Sequence, residues 1–305
     1  MAIVGHMLGL QNVKITPKML RLVCEIDEFK GAWSAMENHT TSLQLLGDVS
    51  SFGRNFKEIA HSWQDKPLDV ELLCRLHAVF TGAKQISIFK EQSKPIQIKK
   101  GDEIIGSLNV ASPKEVRDLM PRLMKWTDDA LEKGDLHPLF IIAIFTAVYM
   151  QFCPFEKDNQ RLARLLIILL MFKAGYGYAP YSTLDNVLQD RADDYYKALK
   201  HTQTTLAKGK IDWDVWLEFF FSVLKAQKDR LAERVEKGSA DIVNMPGLST
   251  KILKLFDKHD RLSMKEIERL TRGKRSTLKL RLGELVEGGY LMRHGKARAT
   301  WYGRV

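Results

Sequence analysis

The chain has 305 residues, 45% of them hydrophobic and 28% charged, with a formal net charge of +10. This balance excludes disordered and collagen-like chains, and the length provides for one large core and one small domain. Cys24, Cys74 and Cys153 are widely spaced and form no C-x-x-C pair, which excludes a disulfide framework or structural zinc site and fits a cytoplasmic protein. The longest apolar runs, Leu139 to Phe152 and Leu162 to Phe172, fall short of the roughly 20 residues that span a bilayer, so no membrane partner is expected. From Leu248 to Val305 there are 15 Lys and Arg against 6 Asp and Glu, a net +9, which leaves +1 for the other 247 residues. The basic character therefore concerns the partner of the C-terminal segment.

In chain order, MAIVGHMLGLQ lacks a basic stretch and is broken by Gly5 and Gly9, so no secretory signal is expected, and residues 1–6 read as an addition before a native Met7. Thr16 and Pro17 open a helix over 16–36, with Leu20, Val23, Ile26 and Phe29 at helical spacing. A second helix covers 69–80, and its His77 is read as a packed or capping histidine. Residues 94–111 alternate around Lys100-Gly101-Asp102, a hairpin signal.

Helices are expected over about 113–132, 138–152, 160–174, 184–206 and 212–237, with Pro113 and Pro138 in first turns and Gly175 and Gly177 ending the 160–174 helix. The aromatic run Trp213, Trp216, Phe219, Phe220 and Phe221 reads as core. Periodicity stops over 238–247, GSADIVNMPG, giving a linker between a 66–237 helical domain, preceded by a 1–65 helical segment, and a 248–305 domain. Residues 248–305 read as three helices and a hairpin, the order of a winged helix-turn-helix. Ile252, Leu255, Ile267, Leu270, Leu278, Leu282 and Leu285 form its expected core, and Lys274, Arg275, Lys279 and Arg281 stay outside. The helix opening with Lys274, Arg275 and Ser276 and continuing to Lys279 is expected to lie in the major groove of duplex DNA, with Lys296 and Arg298 on the flanking backbone.

The stretch that organises the whole is YMQFCPFEKDNQRLARLLIILLMFK, 149–173, a helix, a polar loop and a second helix whose first amides are unpaired. Residues 153–164, C-P-F-E-K-D-N-Q-R-L-A-R, resemble the Fic family motif H-P-F-x-[DE]-G-N-[GK]-R-x-x-R. Pro154, Phe155, Asn159, Arg161 and Arg164 match; Cys153, Lys157, Asp158 and Gln160 depart from it. IDEFKGAW at 26–33 is similar to the N-terminal helix of such proteins. The resemblance implies a mainly α fold, a Fic-type helical core with a small β-hairpin flap at 94–111 that aligns a protein target by strand addition, and a C-terminal winged helix. It also implies an inhibitory [ST]-x-x-x-E-[GN] motif, but the closest stretch, Ser42 to Gly47, has Leu46 where the glutamate belongs.

In that family the motif histidine takes a proton from the target hydroxyl that attacks the α-phosphate of ATP. Cys153 holds that position, and a thiol with a free pKa near 8.5 is a poor general base. Lys157 replaces the acid that holds Mg²⁺, so the metal is doubtful and ATP remains only a candidate ligand. Asp158 puts a carboxylate among phosphate sites, leaving Asn159, Arg161 and Arg164 to favour an anion. Two readings of Cys153 stay open: a histidine lost with the reaction, or a thiol activated by Lys157 and Arg161. The first is preferred, which makes the chain a catalytically degenerate, DNA-binding regulator; an active adenylyltransferase is the alternative. A homodimer is left open.

Overall fold

The computed structural model describes residues 13–37, 63, 66–100, 102–208, 210–243, 245–256, 259–287, 290–295 and 300–304. The Ser42 to Gly47 stretch, residues 1–6, Lys296 and Arg298 lie outside the described residues. The fold is mainly helical and divides into two compact units, Met1–Trp33 with Val49–Arg230, and Ser34–Asp48 with Leu231–Val305.

The first unit contains α1 (Pro17–Glu37), α2 (Val70–Thr81), the antiparallel hairpin β1 (Ile96–Lys100) and β2 (Glu103–Leu108), α3 (Pro113–Lys133), α4 (Pro138–Phe152), α5 (Asn159–Lys173), α6 (Asp185–Asp190), α7 (Ala192–Ala207) and the start of α8 (Asp214–Val243). A helix apolar all round has no solvent face. Accordingly every residue of α4 from Leu139 to Met150 is buried, and the helix forms the axis of the core. On α8 the Trp216 indole donates to the Ala143 carbonyl of α4 at 2.7 Å, and Phe221 meets Phe140 edge-on at 4.7 Å, so the aromatic run is core.

Local chemistry sets the helix starts. Ser112 and Glu115 form a reciprocal capping box with Pro113 in the first turn of α3, and Asp69 accepts from the Leu72 amide to cap α2. The hairpin pairs Ile96 with Leu108 and carries a register shift between Ile98 and Lys99. It packs on α7 so closely that a Cβ on Gly106 would sit 2.4 Å from Tyr196 Cζ.

Two expectations are corrected here. The 184–206 helix is broken at Arg191, whose backbone leaves helical geometry (φ −119°, ψ 29°) while its guanidinium donates to Ser222 Oγ at 2.7 Å. The 238–247 linker is largely helical, because α8 runs on to Val243. The small and polar residues there lower helix propensity without stopping a helix already nucleated upstream.

In the second unit α9 (Gly247–Leu255), β3 (Arg261–Ser263), α10 (Met264–Thr271), α11 (Arg275–Glu287), β4 (Leu291–His294) and β5 (Trp301–Arg304) enclose a separate core. Ile252, Leu253, Phe256, Leu262, Ile267, Leu278, Leu282, Leu285, Leu291 and Tyr302 are its buried members. The three strands lie in the order β3-β5-β4, so the hairpin gains a third strand of only three residues that carries no readable alternation. Leu270, expected inside, is 37% exposed, while Leu255 packs at the margin of the core. The turn between α10 and α11 puts Arg272 at φ 56° and brings Gly273 to where a Cβ would lie 3.1 Å from Leu278.

Candidate functional site

The loop between α4 and α5 is tied down residue by residue. Cys153 ends α4 in the left-handed region (φ 41°), and Asp158 opens α5 there as well (φ 61°). Such angles favour glycine, and aspartate is among the few side chains that tolerate them. Between them the Asn159 carboxamide clamps Phe155, donating to its carbonyl at 2.6 Å and accepting from its amide at 3.0 Å. The Phe155 ring stacks on His77 with centroids 3.9 Å apart and meets Phe89 edge-on at 5.8 Å.

Residues from outside the loop take several of the carbonyls in and beside it. The Ala111 amide donates to Gln151, and buried Lys90 donates twice, from its backbone to Pro154 (2.7 Å) and from Nζ to Phe152 (2.8 Å). His77 Nε2 meets the Lys157 carbonyl at 3.1 Å, and the Glu91 and Gln92 amides both reach the Glu156 carboxylate. The Pro154, Phe155 and Lys157 carbonyls are drawn back into protein, whereas the amides from Glu156 to Arg161 have no protein acceptor among the described residues. That polarity suits an anion. The cleft in front of the loop, about 650 Å³, is lined by Lys90, Lys94, Lys157, Arg161, Asp158 and Cys153 among others.

The expected site residues are gathered here with unequal freedom. Lys157 is exposed, and Arg161 is 54% exposed, lying over the Phe80 ring at 4.5 Å with Asp158 3.7 Å away. Arg164 faces another cavity and forms an ion pair with Asp185 at 2.5 Å. Gln160 points to the hairpin, where its amide donates to the Gln97 carbonyl at 3.4 Å.

Cys153 is 2% exposed, and its thiol donates to the Met150 carbonyl at 3.1 Å. Burial pushes its pKa far up, with Lys90 opposing only in part. The activated-thiol reading gains no support here: Lys90, and not Lys157 or Arg161, is the cation that acts on the sulfur, and the cost of burying a thiolate outweighs it. Burial also lowers the pKa of Lys90.

His77 serves the loop rather than standing as an isolated core histidine. Its Nε2 must carry the hydrogen, because a carbonyl only accepts, so Nδ1 accepts from Ser87 Oγ at 2.7 Å. Burial is the main cause holding its pKa below the ordinary 6.5, and the Lys157 carbonyl opposes this. A lowered folded pKa gives stability that is present above the unfolded value and lost as pH falls through the folded one. Thermal midpoints measured between about pH 8 and pH 5 should therefore fall on the acid side, and His77→Phe, which keeps the stack, should flatten that slope.

Of the residues expected to contact DNA, Lys274, Arg275, Ser276 and Lys279 are all exposed at the start of α11, with Arg275 bonded to Glu268 at 3.2 Å. No helix among the described residues is long and apolar enough to cross a membrane.

Comparison with known proteins gives the setting of this geometry. The fold resembles that of a Fic family protein from Desulfovibrio desulfuricans G20, with TM-score 0.58 and 16% identity over 96% of this chain and 98% of that one. A Fic domain containing signaling protein from Bacteroides thetaiotaomicron VPI-5482 aligns with TM-score 0.47 and 19% identity over 77% of this chain and 97% of that one. No curated protein matches the sequence. Residues 67–171, which hold α2, the hairpin, α4 and the clamped loop, match the Fic/DOC family.

Proposed function

We propose that the chain is a DNA-binding regulatory protein whose Fic-type domain has lost AMP transfer and retains weak nucleotide binding at the loop. Its C-terminal unit is read as a winged helix with α11 as the element that enters the major groove. The observation that carries this reading is the charge: +9 within the last 58 residues, with Lys274, Arg275 and Lys279 exposed around one end of α11. That exceeds what solubility asks of so small a domain.

The state of the motif supports the other half. A thiol that is buried and resists ionisation cannot act as the general base. Lys157 offers no metal ligand where the family has an acid, so no step through Mg²⁺ is assigned. Arg164 is already neutralised by Asp185, and Asp158 places a carboxylate 3.7 Å from Arg161. The forward-facing amides, with Arg161 and Lys157, still suit a phosphate. Strand addition of a protein target at the 94–111 hairpin would compete with Gln160, which already holds the Gln97 carbonyl.

The test is a salt titration of the full chain on random duplex DNA. A fragment starting near residue 240 would cut α8, so the whole chain is the proper reagent. If about four to six phosphates are neutralised, the log-log slope should be roughly −4 to −5. Changing Lys274, Arg275 and Lys279 together to Ala should make the slope shallower by about 3. Absence of binding at low salt, or an unaltered slope in the triple variant, would assign the unit to protein contact.

A further inference from the structure

The outward face of α11 has a composition that its basic flanks do not explain. Successive helical residues turn by about 100°, which places Leu278, Leu282 and Leu285 in one buried row. Opposite that row run Ser276, Leu280 and Gly283, each one turn from the next. Leu280 is 58% exposed, the most exposed leucine among the described residues. Gly283 lies in the helix interior without positive φ, and a Cβ there would meet nothing within 4 Å. Glycine is a poor helix former, and neither packing nor backbone geometry within the chain explains it here. Arg272, Lys274, Arg275 and Lys279 are exposed around the start of the same helix.

We propose that Leu280 is a specificity-determining residue that selects thymine in the DNA major groove through its C5-methyl group, with Gly283 allowing the helix backbone to come close to the base edges. The proposal rests on the DNA-binding reading above and adds what that reading lacks, a source of sequence preference. The flanking cations supply charge complementarity to phosphate and carry no sequence information. The apolar side chain beside them can read only an apolar feature, and in the major groove that feature is the thymine methyl. Ser276, one turn before, can donate to or accept from a neighbouring base edge.

The experiment enriches binding sites from a randomised duplex pool with the full chain, then replaces each required thymine by deoxyuridine, which lacks only the methyl. Affinity should fall by roughly fourfold for each methyl contacted. In Leu280→Ala the thymine-to-uracil ratio should approach one, and in Leu280→Met, which keeps an apolar side chain, it should persist. Gly283→Ala should raise thermal stability and weaken binding to the enriched site. Indifference of the unaltered chain to uracil, or an undiminished ratio in Leu280→Ala, would overturn the proposal while leaving salt-dependent DNA binding intact. A change of oligomeric state in Leu280→Ala without a change in base preference would overturn it in favour of self-association. Failure of the unaltered chain to bind any duplex at low salt would overturn both readings.

Discussion

Replacing Asn159 by Ala should destabilise the first unit by about 2–4 kcal/mol, because it leaves the buried Phe155 amide and carbonyl unpaired and returns no bond in compensation. The cost should be local before it is global. The loop is sealed by contacts that presuppose Phe155 in place: its stack on His77, its edge contact with Phe89, and the His77 bond to the Lys157 carbonyl. Amide exchange should therefore accelerate first at residues 153–158 and at the 89–92 segment that donates to Pro154 and Glu156. Asn159→Asp makes the sharper comparison. It can still accept from the Phe155 amide, but it sets a carboxylate oxygen against the Phe155 carbonyl, so it should cost at least as much as alanine near neutral pH and recover on acidification. Equal exchange rates in both variants and the unaltered chain would remove the clamp from the account.

Gly106→Ala carries the other large effect. A Cβ at 2.4 Å from Tyr196 Cζ, and within 2.8 Å of two further ring atoms, cannot be accommodated unless the Tyr196 ring, the hairpin or α7 moves. Overpacking of this kind costs about 1–3 kcal/mol. The hairpin is anchored through Ile98 and Leu108, both buried, so it should lift from α7 as a unit. Because the clash is with a ring, Tyr196→Ala in the same chain should restore most of the lost stability, whereas Tyr196→Phe, which keeps every clashing atom, should restore none. Additive losses in the double variant would show that the two residues do not meet.

Much of this arrangement was legible in the sequence because it is local. Pro113 and Pro138 mark helix starts through their fixed φ, the hairpin alternates around its turn, and the unbroken apolar run of α4 can lie only in a core. The motif residues at 153–164 fall on one loop for the same reason. The partners that decide what the loop can do come from far along the chain. Lys90 is 62 residues from the carbonyl its ammonium reaches, and His77 is 80 residues from Lys157. Nothing in DVELLCRLHAVF or its neighbours distinguishes a histidine that will hold a loop from one that merely fills a core. Asp185, 21 residues beyond Arg164, likewise carries no signal in the sequence that it will pair with that arginine. The burial that holds the Cys153 thiol un-ionised is set by its place in the fold and not by the cations beside it in sequence. Leu270 fits a helical apolar stripe by spacing, but α10 has only eight residues and buries just Ile267 and Thr271 fully.

The most direct measurement is label transfer from ATP bearing a labelled α-phosphate, with Mg²⁺, to the full chain itself and to proteins of a lysate. The account predicts no label in either, since it proposes that Cys153, Lys157 and the Asp185-paired Arg164 cannot serve as general base, metal ligand and free second arginine. It also predicts some gain when Cys153→His, Lys157→Asp, Asp158→Gly and Gln160→Gly are combined and Asp185→Asn releases Arg164. Clear labelling by the unaltered chain that disappears in Arg161→Ala would contradict it, and would make the protein an active adenylyltransferase.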